Sequence, residues 1–207
     1  MSLLVVGSVA LDDVRTPFGE RKDVLGGAAT YFSLAASYFT DVRLVGVVGR
    51  DFPDRHRELL ESRRIDLAGL ETVDGETFRW GGAYGYDMNA RETLFTHLNV
   101  FADFRPRIPE PFRDSRHVFL ANIEPGLQLG VLDQVDAPDT VALDTMNYWI
   151  EHTPDTLNEV IGRVDIVLVN DSETRQLASE PNLRKAAAAI LARGPGVIVV
   201  KKGEHGA

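Results

Sequence analysis

Val164 to Leu177, VDIVLVNDSETRQL, decides how the chain is read. Ile166 to Val169 is a short apolar run, the pattern of a strand buried on both faces. It runs straight into a polar stretch whose helix start falls near Asp171. Asn170 and Glu173 stand at that junction. Asn followed three residues later by Glu is close to a capping box, which closes a helix start without any ligand. The carboxyl end of a buried strand beside a helix amino end is also where open α/β sheets bind ligands, phosphate among them. Only the flanking chain separates the two readings.

Working outward, the same alternation repeats. Downstream, Leu183, Ala186, Ala187, Ile190 and Leu191 form an apolar helical stripe, and Val197 to Val200 is another strand. Upstream, Asp155 to Arg163 and Leu127 to Val135 read as helices, and Thr140 to Leu143 and Val118 to Ala121 as strands. Nearer the start, Leu3 to Val9 and Arg43 to Val48 are strands. Between them lie a polar turn-rich stretch at Thr16 to Lys22 and a helix with Ala28, Phe32, Ala35 and Phe39 on its apolar stripe. FPDRHRELLESRR, from Phe52 to Arg64, reads as a further helix, with Phe52, Leu59 and Leu60 as apolar points. Buried strands alternating with amphipathic helices predict a parallel sheet with right-handed crossovers.

One region breaks the pattern. From Glu71 to Asn99, polar and aromatic residues mix, and Thr77, Phe78, Trp80, Tyr84 and Tyr86 suggest antiparallel strands turning near Asn89 and Ala90.

Composition removes several function classes. The 207 residues carry a net charge of -9, which argues against a nucleic-acid partner. There is no Cys, so thiolate chemistry and disulfides are absent. No apolar stretch reaches the length of a membrane span, and no signal peptide is recognisable, so a cytoplasmic protein is expected. There is no GxGxxG after the first strand, no GxxxxGK[ST], no HExxH and no GxSxG. A dinucleotide oxidoreductase on a similar sheet is correspondingly weak.

A parallel sheet puts every strand's carboxyl end on one edge. Those ends carry Asp12 and Asp13, Gly49 to Asp51, Asn122 and Glu124, Asp144 to Asn147, Asn170 and Glu173, and Lys201 to Gly206. Loops there are polar in any case. Three carboxylates just beyond apolar runs, Asp12, Glu124 and Asp144, are groups that accept hydrogen bonds from substrate hydroxyls. Gly203 and Gly206 would let a flat ligand approach the backbone.

Taken in order, GSVALDD, GGAATYF, the aromatic insert, LANIEP, the Asn-x-x-Glu and VVKKGEHGA resemble the ribokinase (PfkB-type) family of carbohydrate kinases, over the whole chain. The resemblance implies an α/β fold, a ribokinase-like parallel sheet flanked by helices, with a small β lid over the sugar site. Residues 1–207 would be a partial kinase domain, with the lid formed by about 13–25 and 71–100. It implies transfer of the ATP γ-phosphate to a hydroxymethyl group of a sugar or nucleoside.

By the same resemblance, Asp12 would hold acceptor hydroxyls, Gly26 and Gly27 would form a backbone platform under the acceptor, and Glu124 would be a further contact. Asn170 and Glu173 would position Mg²⁺ and phosphate, Glu173 through water. Lys201, Gly203 and Gly206 would lie by the nucleotide. Tyr31 stands where many relatives carry Asn. The family's D-T-x-G-A-G-D loop, which brings the general base and anion hole, is expected beyond Ala207, with the C-terminal part of the fold. The chain as given is therefore expected to be a poor kinase by itself and to expose an apolar sheet face. A homodimer through the lid and a non-catalytic sugar-binding remnant are the accompanying expectations.

Overall fold

The computed structural model describes residues 2–88 and 91–207. Seven strands form one sheet: β1 (Ser2–Val6), β4 (Asp41–Gly49), β5 (Ile65–Val73), β8 (His117–Leu120), β9 (Thr140–Asp144), β10 (Ile166–Asn170) and β11 (Val197–Lys201). Their spatial order is β11-β10-β9-β8-β1-β4-β5, and every neighbouring pair is parallel. A second sheet, in the order β3-β2-β6-β7, comprises β2 (Ala10–Thr16), β3 (Gly19–Gly26), β6 (Phe78–Tyr84) and β7 (Arg91–His97).

Strand alternation sorts the main sheet's side chains into two cores. Leu4, Val6, Val45, Leu120, Leu143, Val167 and Val169 face one side. There they meet Val131 of α3 (Pro125–Leu132), Ile150 of α4 (Asn147–His152), Leu157 and Val160 of α5 (Pro154–Ile161), Leu177 of α6 (Asp171–Ala178) and Ile190 of α7 (Leu183–Leu191). Val5, Leu44, Val48, Phe119 and Ala121 face the other side, under α1 (Ala28–Ala36) and α2 (Asp54–Ser62). Phe32 of α1 stacks on Phe119 with centroids 3.4 Å apart.

That second side is not closed everywhere. On β9, β10 and β11 its residues Ala142, Ile166, Leu168 and Val199 are only partly buried, and Val197 on the edge strand is 48% exposed. The exposed apolar face expected from the sequence is this one.

Several expectations need correcting. The first apolar run does not continue to Val9: β1 ends at Val6, and after Gly7 to Val9 the chain is already in the second sheet. Asp12 and Asp13 are therefore strand residues of β2 and do not sit on a loop at the end of β1. Thr16 to Lys22 is a hairpin turn plus the first half of β3. The second sheet is mixed, because β2 runs parallel to β6. Residues 71–73 finish β5 of the main sheet.

In α1 the buried face is Ala29, Thr30 and Ser33, whereas Ala35 is exposed and Phe39, beyond the helix, is 90% exposed. Of the expected stripe, Ala28 and Phe32 do pack against the sheet, while the small residues Ala29, Thr30 and Ser33 let the helix lie close to it. Leu59 of α2 is exposed, and Leu60 carries its contact with the sheet. The turn expected at Asn89 and Ala90 lies outside the described residues.

The two sheets are pinned together by Arg79 of β6. Its guanidinium donates to Asp23 of β3 and, at 3.3 Å, to Asp51 in the loop after β4. Asp51 also accepts from the Thr77 N–H and hydroxyl, both at 2.7 Å. Burial pushes the Asp51 carboxyl up, but the Thr77 and Arg79 hydrogen bonds outweigh it and hold the group below the usual range.

Candidate active site

β8, β9, β10 and β11 deliver their carboxyl ends side by side, and there the chain forms a cleft of about 710 Å³. Its floor and near wall hold Asn122, Asp144, Asn170, Glu173 and Lys201. Tyr84 and Arg91, from facing positions of β6 and β7, form the opposite wall. The second sheet thus reaches over the phosphate-binding position that α/β sheets offer.

Asn170 closes the start of α6. Its side-chain oxygen accepts from the Glu173 N–H at 2.7 Å, and the Glu173 carboxylate accepts from the Asn170 N–H at 2.8 Å. The capping box is complete. Both residues also line the cleft, so the helix cap and the cleft wall share the same side chains. Burial pushes the Glu173 carboxyl up; the Asn170 N–H and the Lys201 charge oppose this, Asp144 adds to it, and Arg91 also opposes it.

Lys201 donates to Asp144 at 3.0 Å across the ends of β11 and β9. Burial raises the Asp144 carboxyl, and Lys201 pulls it part of the way back. Beside them, Asn122 accepts from the Trp149 indole N–H at 2.9 Å, which fixes the amide at the cleft floor.

Asp12 lies outside the lining of this cleft, on β2, paired across the sheet with Trp80. Only 8% exposed, its carboxyl is pushed up to about 6 by burial and then by the charge of Asp13. Tyr31 is its neighbour: burial, then Asp12, then Tyr84 raise the Tyr31 hydroxyl. Tyr84 itself lines the cleft.

The glycine pair explains itself locally. Gly26 leaves room for the Asp12 carboxylate directly above it. Gly27 has φ 95°, and a Cβ there would strike the Ser8 carbonyl. That close approach lets Ser8 cap α1 from a distance: its hydroxyl accepts from the Ala28 N–H at 3.0 Å and its carbonyl from the Ala29 N–H at 3.1 Å.

The remaining sequence candidates sit elsewhere. Glu124 accepts from the Gly126 and Leu127 N–H groups at 2.9 and 3.0 Å, capping α3, and does not line the cleft. Gly203 and Gly206 bracket a short exposed turn beyond β11, closed by the Lys202 N–H to the Gly206 carbonyl at 2.8 Å. Arg91 escaped the sequence reading, because a charged residue on an exposed strand carries no local signal. Glu151 of α4 and Gln176 of α6, also in the lining, were missed because polar residues on a helix's exposed side look alike in sequence.

An all-parallel seven-stranded sheet with a second sheet facing a polar cleft at its carboxyl edge is an α/β arrangement that places a ligand site at the strand ends. Residues 5–207 match the model of the pfkB family carbohydrate kinases, and the chain belongs to that family. It is 27% identical over 209 residues to a cytidine kinase of Thermococcus kodakarensis, covering all of this chain and 74% of that protein.

Among solved structures it resembles a nucleoside kinase of Burkholderia thailandensis in complex with inosine. The TM-score is 0.78 at 17% identity, over 98% of this chain and 69% of that one. It also resembles a ribokinase of Cryptococcus neoformans in complex with ADP, with TM-score 0.74, 23% identity and coverage of 97% and 72%. At such identities these two likenesses concern the fold.

Proposed function

We propose that the protein is an ATP-dependent kinase that transfers the γ-phosphate to a hydroxymethyl group, with a nucleoside preferred to a free sugar as acceptor. The observation that carries this is the cleft in which Asn170, Glu173, Asp144 and Lys201, from three adjacent strand ends, face Tyr84 and Arg91 of the second sheet. The likeness to a cytidine kinase and the aromatic groups Tyr31, Trp80 and Tyr84 around Asp12 favour a flat base over a sugar alone.

In this reading Asp12 accepts hydrogen bonds from acceptor hydroxyls, Gly26 and Gly27 support the acceptor from below, and Glu124 assists only through α3. Asn170 and Lys201 bind the nucleotide phosphates, with Gly203 and Gly206 near the rest of the nucleotide. The second sheet acts as a lid that excludes water. The bond from the γ-phosphorus to the bridging oxygen of ADP breaks as one forms to the acceptor oxygen, whose proton passes to a base.

Among the described residues no group of three carboxylates or imidazoles could hold a metal outright. Mg²⁺ needs only one or two carboxylates, because it keeps water and takes its other ligands from phosphate. Glu173, with Asp144 beside it, fits such a water-mediated role. The ion would neutralise charge on the phosphate oxygens.

Among the described residues no helix is long and apolar enough to cross a membrane. A cytoplasmic site of action, where ATP is supplied, belongs to this reading. Phe18 and Tyr86, both strongly exposed and 5.7 Å apart on the second sheet, are the surface through which two copies would pair.

The test is phosphate transfer from ATP by the full-length protein across a panel of nucleosides and sugars. Turnover on a nucleoside is expected, and no turnover on any member defeats the proposal. Acceptor binding without turnover would mark a ligand-binding remnant.

A further inference from the structure

Arg91 begins β7, opposite Tyr84 of β6, and both line the cleft. Its position is built. Gly82 of β6 has no side chain, and the space a Cβ would fill is occupied by the Trp80 indole. The Arg91 guanidinium carbon lies 5.7 Å from the centroid of that indole. Trp80, Gly82, Tyr84 and Arg91 therefore share one face of the second sheet, and a cation held over an indole is steered as well as attracted. Across the cleft, the charge of Arg91 is felt at Glu173.

The need for a cation here follows from the capping box. Asn170 and Glu173 use up two of the N–H groups that the start of α6 would otherwise offer an anion. Lys201 is already shared with Asp144. Glu151 and Glu173 add negative charge to the lining. A polyphosphate entering this cleft meets an anionic floor with one partly committed lysine, and Arg91 is the cation on the facing wall. A guanidinium can grip two phosphate oxygens at once, whereas an ammonium acts as a point charge.

We propose that Arg91, held on Trp80, is the residue by which the second sheet grips the terminal phosphates of a nucleotide bound at Asn170, Glu173 and Lys201. The inference rests on the kinase reading above and deepens it. Nucleotide binding and the position of the second sheet become linked, because the same side chain belongs to one and contacts the other.

The test is calorimetric titration of the whole protein with ADP, AMP and adenosine, comparing wild type with Arg91→Gln, Arg91→Lys and Trp80→Leu. Arg91→Gln is expected to weaken ADP about tenfold or more, in line with the loss of a charge-assisted hydrogen-bonding group, while leaving AMP and adenosine unchanged. Arg91→Lys should recover part of the loss, and Trp80→Leu should weaken ADP by a smaller factor although it removes no charge. Equal ADP affinity in wild type and Arg91→Gln overturns the proposal. So does an equal loss for ADP, AMP and adenosine, which would mean a structural role. Failure of the wild-type protein to bind ADP at all would instead remove the kinase reading, and this inference with it.

Discussion

The Asp12 carboxylate occupies the space that a side chain on Gly26 would need. The two residues lie on neighbouring antiparallel strands, β2 and β3, with Gly26 opposite Ala10. Gly26→Ala must displace the carboxylate or the strand. Overpacking of this kind costs about 1–3 kcal/mol. A fall in melting temperature and a rise in the KM for the acceptor are expected together. Unchanged acceptor KM in a folded Gly26→Ala variant would separate Asp12 from acceptor binding.

The ionisation of Asp12 works against the fold. Its carboxyl sits at about 6, against 3.8 for the ordinary group, so the unfolded chain releases this proton at lower pH than the folded one. The folded state therefore loses stability as pH rises from about 4 through 6, and the penalty is fully present at neutral pH. A shift of this size corresponds to up to about 3 kcal/mol. Asp12→Asn should accordingly raise stability at pH 7.5, with little gain at pH 4, and should weaken acceptor binding. In the wild type, acceptor affinity should fall as pH drops below 6. Denaturant titrations at the two pH values, with acceptor KM followed across pH, check both statements.

Asn170 and Glu173 can be separated from their capping duty. Ser caps a helix about as well as Asn, and Gln can replace Glu in the box. Asn170→Ser and Glu173→Gln should leave stability within about 0.5 kcal/mol, whereas Asn170→Ala should cost about 1 kcal/mol. If the pair also serves the nucleotide, Asn170→Ser lowers ATP affinity and Glu173→Gln raises the Mg²⁺ concentration needed for half-maximal rate. Unaltered nucleotide and Mg²⁺ dependence would leave the two residues as a helix cap alone.

Val197 and Val199 lie on the partly open side of β11, an edge strand. Exposed apolar edges template association. The 207-residue chain should associate as its concentration rises, and Val197→Lys should reduce this without lowering the melting temperature. Sedimentation at several concentrations is the measurement, and identical profiles for both proteins would refute the expectation.

The legible parts of the molecule were those where physical chemistry leaves a local mark. Ile166 to Val169 is apolar on both faces, with Val167 and Val169 buried and Ile166 and Leu168 partly so, and that unbroken run announced β10, while the Asn170 to Glu173 spacing announced the helix start beside it. β5 went unread because Ile65 to Val73 lies at the sheet's edge and mixes buried with exposed positions. α4 went unread because its six residues bury only Ile150. Asp12 was expected at a strand end, because nothing local shows that the chain leaves one sheet and enters another within Gly7 to Val9. Asp144 and Lys201 were each visible as strand-end residues, but their ion pair depends on β9 and β11 flanking β10, which is a property of topology. Arg91 depends on Gly82 and Trp80, and no periodicity encodes that stack.

Three of the four connections of the second sheet to the rest of the chain are very short, the exception being the long link from β7 to β8. Three residues separate β1 from β2, one separates β3 from α1, and four separate β5 from β6. Arg79 bolts that joint to Asp23 and Asp51. Such a joint leaves little slack, so the lid closure proposed above would be a rocking of one whole slab, not the flapping of a tether. Warming should loosen the bolt before it melts the slabs. Turnover would then decline at temperatures where circular dichroism still reports an intact chain, and Arg79→Met should widen that gap.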